Sequence, residues 1–353
     1  MLYHLLYEFL DINIFKYITF RAFYALVTSF ALALIFGPYL IRRLRVIQRK
    51  EGGYVRAYTE HTQKKYVPTM GGILIIVPLL ISSLLWCRLD NIYIWITLFV
   101  FISFAIVGGW DDYNKLVKKK GISSRIKFLL QLLFATIASS ILYIYPKFDS
   151  VLYLPFFKDL HIDLGFLYLF FMIFIIVATS NAVNLTDGLD GLAIGPSMIS
   201  AAAFAFFAYL AGNSVLANYL KIAYVQGSGE LTVFLMALLG AGLGFLWFNS
   251  FPAEIFMGDA GALSIGAVLG TVAIITKQEI ALAIVGGIFV VETLSVIIQV
   301  AYFKATGGKR IFLMAPLHHH FEKLGIPEPK IVVRVWIISI LLAIIALSTL
   351  KIR

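Results

Sequence analysis

The stretch that decides the fold is residues 166–191, FLYLFFMIFIIVATSNAVNLTDGLDG. Its first half, 166–178, is unbroken apolar sequence, and a second apolar run opens at Leu192. Runs of this kind suit helices that cross a bilayer, which take about 20 residues each. Between the two runs stand two carboxylates, Asp187 and Asp190, and two amides, Asn181 and Asn184. Ionisable groups at a membrane boundary are costly without partners or water, so they mark a candidate functional site. Asp187-Gly188 and Asp190-Gly191 are also turn dipeptides, which hold short carboxylates on tight, exposed backbone. The same residues serve equally well as a polar cap and hairpin between two spans. The choice turns on how many similar clusters share this side of the membrane.

The rest of the chain repeats the pattern. Of 353 residues, 61% are hydrophobic and only 14% charged, whereas a soluble domain has about a quarter charged. The composition predicts an all-α integral membrane protein, one polytopic domain over residues 1–353. The apolar runs are too long and too uniform for barrel strands. Ten spans are expected, at 18–41, 71–86, 92–110, 126–145, 164–183, 192–211, 231–249, 260–275, 280–303 and 331–350. Residues 1–16 are interrupted by Glu8 and Asp11 and lack a basic start. They read as an interfacial segment rather than a removable signal peptide.

Charge sets the orientation. Arg42, Arg43, Arg45, Arg49, Lys50, Arg56, Lys64 and Lys65 follow the first span, and Lys115, Lys118, Lys119, Lys120 and Arg125 the third. Lys304, Lys309, Arg310 and Lys323 follow the ninth. The intervening loops are short or balanced. This bias places the basic loops in the cytoplasm and both termini outside, in the periplasm. The net charge of +10 thus fits orientation and anionic ligands, not nucleic acid. A single cysteine, Cys87, excludes an intrachain disulfide and a multi-cysteine metal site. Residues 146–163, alternating around Pro155, predict a short outer hairpin. Gly240-x-x-x-Gly244 and Gly266-x-x-x-Gly270 read as helix-packing patterns, and packing explains Gly286-Gly287 better than a kink.

Every polar cluster falls in a basic, inner loop. Lys64 and Lys65 precede Pro68-Thr69-Met70-Gly71-Gly72, a Thr-containing turn before the glycine-rich start of a helix, where free N–H groups favour phosphate. Asp111 and Asp112 are followed by Lys115, with Lys127 one turn into the next span. Adjacent helical carboxylates point about 100° apart, so one can meet a metal while the other accepts a proton. Asn249 opens a loop that continues to Phe256-Met257-Gly258-Asp259, with Phe256 placed to stack on a planar ring or to sit at the membrane interface. His318-His319-His320 cannot all face one ligand from a regular helix, so a loop is expected there. Five acids beside lysines and histidines suit magnesium, which takes one or two carboxylates and completes its shell with phosphates and water. Such a site fits phosphoryl transfer from a soluble diphosphate to a lipid phosphate.

With these motifs the sequence resembles the polyprenyl-phosphate N-acetylhexosamine-1-phosphate transferase superfamily across nearly the whole chain. The unbroken His318-His319-His320 after Met314-Ala315-Pro316 points to its muramoyl-pentapeptide branch. The resemblance implies transfer of phospho-MurNAc-pentapeptide from UDP-MurNAc-pentapeptide to undecaprenyl phosphate, giving lipid I and UMP. It implies Mg²⁺ dependence, ten helices in the bacterial inner membrane and a homodimer. It implies Asp259 as magnesium ligand and Asp111 and Asp112 as catalytic, with Asp111 favoured as the base. Asn184, Asp190, Gly191, Asn249 and Phe256 would line the nucleoside pocket, with Lys64 and Thr69 nearby. Lys115, Lys127, His318, His319 and His320 would handle phosphates. The chain departs from the usual pattern at Tyr66-Val67 and at Ala262, neither a carboxylate position.

Two rivals remain at this level. One is a related transferase that moves GlcNAc-1-phosphate or another sugar phosphate from UDP to the same lipid. The other is a metal or phosphate transporter, which would place its acids inside the spans. Glu292 is the main acid with an intramembrane position, and a polar packing contact accounts for it.

Overall fold

The computed structural model describes residues 1–50, 67–146, 148–155 and 161–351. Their dominant elements are helices: α1 (Ile18–Lys50), α2 (Ile73–Trp86), α3 (Ile92–Lys118), α4 (Ser124–Ile144), α5 (Leu167–Thr186), α6 (Ile194–Ala211) and α7 (Ser214–Leu220). There follow α8 (Glu230–Asn249), α9 (Gly258–Ile275), α10 (Glu279–Val285), α11 (Gly287–Ala305), α12 (Leu317–Lys323) and α13 (Glu328–Ser348). Nine of the described helices are long and apolar enough to cross a membrane, and α2 is a shorter apolar helix at the position of the second expected span. At 14 residues α2 is about 21 Å long, and the segment 67–72 before it is non-helical. The protein is an all-α, multi-pass membrane protein.

Local chemistry explains the helix starts. Asn91 caps α3 by accepting the N–H of Tyr93, and Ser123 caps α4 by accepting that of Ile126. α3 ends at Lys118 and is capped by Lys119, which takes a left-handed conformation at φ 55°. The hairpin expected in 146–163 forms as β1 (Val151–Tyr153) and β2 (His161–Asp163), antiparallel, with Leu152 opposite Ile162.

The layering is concentric. α9 is 89% buried over its apolar window, whereas α1, α4 and α13 are 28% buried and α11 22%. α9 is therefore the central post, with α3 and α5 packed against it, and the lightly buried helices offer their apolar faces to lipid. The small-residue patterns carry this packing as expected. A Cβ at Gly240 would lie 2.1 Å from the Leu26 carbonyl oxygen on α1, and one at Gly266 would lie 2.5 Å from that of Thr179 on α5.

Two expectations are corrected. The ninth span is interrupted at Gly286, which ends α10 and precedes α11, so Gly286-Gly287 does mark a break. A Cβ at Gly287 would also meet Leu342 of α13 at 2.9 Å. The three histidines lie on a helix, α12, not in a loop. Successive residues turn by about 100°, so a short helix sends the three rings to separate partners.

Candidate active site

Asp259 stands at the mouth of the central helix, and four groups from two other helices meet it. Asp111, Asp112 and Lys115 come from the last turns of α3, and Lys127 from the first turn of α4. Lys115 Nζ lies 2.8 Å from Asp111 Oδ2 and 3.0 Å from Asp259 Oδ2. Lys127 Nζ lies 3.5 Å from Asp111 Oδ2 and also pairs with Asp259 Oδ2. Two carboxylate oxygens from different helices thus share the same two ammonium groups. Asp111 Oδ1 accepts the N–H of Ile122 at 2.7 Å, which ties the α3–α4 turn to the cluster.

Asp112 has a different job. Its oxygens accept the N–H groups of Asp259 and Ala260, each at 3.1 Å. A carboxylate there satisfies two orphan donors and complements the positive end of α9. Asp111 and Asp112 do diverge, as their adjacency requires.

The segment before α2 docks on the loop before α9. Phe256 N–H donates to Pro68 O at 2.8 Å, Gly71 N–H to Phe256 O at 2.8 Å and Gly72 N–H to Met257 O at 2.7 Å. Thr69 is held by Gln48, which accepts its N–H and donates to its carbonyl, both at 3.1 Å. Thr69 and the half-buried Phe256 therefore sit by the loop that leads into Asp259. Lys64 lies outside the described residues.

A second polar knot continues from that loop. Asn249 accepts the N–H of Gly191 at 3.0 Å and donates to Ile255 O at 2.8 Å. Asp190 Oδ2 accepts the N–H of Ala253 at 2.9 Å, while its own N–H goes to Glu328 Oε1 at 2.7 Å. Trp336 Nε1 donates to Gly191 O at 3.1 Å. Asp190, Gly191 and Asn249 thus pin the α5–α6 turn to the α8–α9 loop, above a small apolar cluster of Leu189, Leu192, Ile331 and Val332. Asn184 is half-buried in the last turn of α5, six residues before Asp190.

The histidines divide as their helix dictates. His318 is 1% exposed and its Nδ1 lies 3.2 Å from Glu292 Oε2 on α11. His319 pairs with Glu322 at 2.5 Å, and His320 Nδ1 accepts the N–H of Leu313 at 3.1 Å. Only His318 is fully interior, and a Cβ on Gly188 would meet it, which links α12 to the α5–α6 turn.

Four site neighbours escaped the sequence reading. Glu292 was assigned to packing, although an acid in an apolar run is itself a signal. Glu328, Trp336 and Gln131, whose Oε1 accepts from Asn181 at 2.7 Å, gave no signal, because their partners are remote in sequence.

Known proteins resemble this chain over nearly its full length. The Glycosyl transferase family 4 model matches residues 94–277. The chain is 60% identical over 343 residues to the phospho-N-acetylmuramoyl-pentapeptide-transferase of Aquifex aeolicus (strain VF5), covering 97% of this chain and 96% of the relative. The chain belongs to this transferase family. The corresponding proteins of Hydrogenobaculum sp. (strain Y04AAS1) and Citrifermentans bemidjiense are 57% and 53% identical, over 97% and 100% of this chain and 96% and 100% of theirs. The family match covers α3 to the end of α9, which carry Asp111, Asp112, Lys115, Lys127 and Asp259. α12 and its histidines lie beyond that model but within the full-length likeness.

Proposed function

We propose that the chain transfers phospho-MurNAc-pentapeptide from UDP-MurNAc-pentapeptide to undecaprenyl phosphate, releasing UMP and forming lipid I. The reading rests on one observation above the rest: Asp111 and Asp259, from two helices of a membrane bundle, share Lys115 and Lys127 at one end of the bundle. Full-length similarity to proteins named for this transfer supports the choice of sugar.

The basic residues Arg42, Arg43, Arg45, Lys118, Lys119, Lys120 and Arg125 flank that end. The positive-inside rule assigns it to the cytoplasm and both termini to the periplasm, so a soluble nucleotide reaches the site directly. Undecaprenyl phosphate enters laterally, along lightly buried helices. A homodimer is part of the same proposal.

The residues fit a magnesium ion. Asp111 Oδ2 and Asp259 Oδ2 already converge on positive charge, and no cluster of three His, Cys, Asp or Glu among the described residues forms an all-protein cage. One or two carboxylates with the shell completed by phosphates is the habit of Mg²⁺. Asp259 would hold it, and when bound it would neutralise charge developing on the pyrophosphate oxygens.

The chain's own groups supply the rest. A lipid-phosphate oxygen attacks the sugar-linked phosphorus, a new P–O bond forms, the bond to the UMP oxygen breaks, and UMP carries off the electron pair. Lys115 and Lys127 exchange carboxylate for phosphate oxygens as the nucleotide arrives. Asp111, held largely by movable ammonium groups, is the acid free to take a proton from the attacking phosphate. Asp112, committed to two backbone donors, fixes the start of α9.

The test is incubation of the purified chain in liposomes with undecaprenyl phosphate and either UDP-MurNAc-pentapeptide or UDP-GlcNAc. Lipid product from the former supports the proposal. Product from UDP-GlcNAc alone overturns it in favour of the related transferase.

A further inference from the structure

His318 carries an orphan. Its Nε2 is buried and has no hydrogen-bond partner among the described residues, whereas buried polar atoms nearly always have one. The other side of the ring is tightly held. Glu292 Oε2 lies 3.3 Å from the backbone N of His318 and 3.2 Å from its ring Nδ1. An ionised carboxylate only accepts, so Nδ1 must carry the hydrogen. Nε2 is then a lone pair in the neutral ring and an N–H in the charged one.

The free nitrogen faces the turn that bears Asp187 and Asp190. A Cβ built on Gly188 would fall 2.0 Å from Nε2 and 2.7 Å from Cε1. Only glycine leaves room for the ring in this position. The ring is thus gripped by α11 from one side and cleared by the α5–α6 turn on the other. Nothing in packing alone requires a 4% exposed glutamate in a lipid-facing helix, where an apolar residue would cost less.

We propose that Glu292 and Gly188 are positioning residues: Glu292 fixes the His318 ring with Nδ1 protonated, and Gly188, by lacking a side chain, admits the ring with Nε2 turned toward the α5–α6 turn, the side from which the sugar-nucleotide substrate engages it. The inference rests on the transferase reading for its ligand, but not for its geometry. Substitution of Glu292 then acts only through His318, with a loss in kcat and little change in KM.

Two measurements on the full chain in nanodiscs test it. The first is the ¹⁵N spectrum of labelled histidines, with His318 assigned by its loss in His318→Ala. Wild type gives a protonated Nδ1 for His318, and Glu292→Gln, whose amide can donate as well as accept, shifts it. Gly188→Ala moves the same resonances. The second is a double-mutant cycle on lipid-product formation. Glu292→Gln lowers kcat about 10- to 100-fold, by analogy with lost orienting partners of metal-bound histidines, and costs nothing further in His318→Ala. An unmoved tautomer in Glu292→Gln, unmoved resonances in Gly188→Ala, or an equal loss in both backgrounds would overturn the proposal. Should Glu292→Gln not fold, Glu292→Met, which removes the acceptor at similar volume, is read in both assays with the same criteria. Absence of any lipid product from wild type would refute the transferase reading instead, leaving the histidine spectrum to judge Glu292.

Discussion

Asp112 of α3 accepts the backbone N–H of Asp259, at the mouth of α9, at 3.1 Å. The neighbouring N–H, from Ala260, goes to its other oxygen at 3.1 Å. One acid of the pair therefore builds the frame, and Asp111 faces the two lysines across it. Position of the second carboxylate site, Asp259, depends on this contact between helices far apart in sequence.

Replacing Asp112 by Ala is expected to cost about 1–2 kcal/mol, as for other lost helix caps, and to lower turnover by misplacing Asp259. Asp112→Asn retains one acceptor and should lose less stability. Thermal unfolding in detergent measures both, and an unchanged midpoint in Asp112→Ala would remove the framing role.

Lys115 and Lys127 differ in exposure, 41% and 16% for their side chains. Lys127→Met should weaken nucleotide binding about tenfold or more, the scale of one hydrogen bond to a charged group. Lys115→Met, at the wetter position, should do less. Equilibrium binding of the UDP substrate decides it, and wild-type affinity in Lys127→Met would contradict the assignment.

Much of this was legible in the residues. The apolar runs announced the helices, and the basic loops gathered the acids at one end, because hydropathy and charge act locally. Contacts between distant segments were not legible. Asp112 on α9, Asn249 on Gly191 and Glu328 on Asp190 join segments 58 to 147 residues apart. The glycine pair at Gly286 does not decide between a break and close packing, because the apolar pattern runs through it. The histidines were misread for a related reason: a seven-residue helix is too short to show a period.

At the opposite end, Glu279 is the first residue of α10, just ahead of the expected ninth span, beside Lys277, Tyr168 and Asp149. Burial pushes its carboxyl up to about 7 from the usual 4.5. Between those values the folded chain binds more protons than the unfolded one, so stability falls as pH rises, by at most about 1.4 kcal/mol per unit. Burial lowers the Lys277 ammonium from its usual value, and that contribution belongs to alkaline pH, where stability rises with pH. Unfolding midpoints from pH 5 to 7 should decline in wild type and flatten in Glu279→Gln. Equal slopes would contradict the account.

Arg21 donates to Glu230 through two nitrogens at 2.7 and 2.6 Å, in full burial. Arg21→Ala leaves a buried carboxylate uncompensated and is expected to cost about 3–5 kcal/mol, while Arg21→Met with Glu230→Leu should restore most of it. Unfolding in detergent tests this, and a double variant no better than Arg21→Ala would count against it.

The most direct test of the central claim is UMP release from UDP-MurNAc-pentapeptide by purified Asp259→Asn across a Mg²⁺ titration, beside wild type. The account predicts Mg²⁺-dependent release by wild type and none above background in a variant that remains folded. Wild-type turnover in Asp259→Asn would contradict the convergence of α3, α4 and α9 on a single phosphate-transfer site.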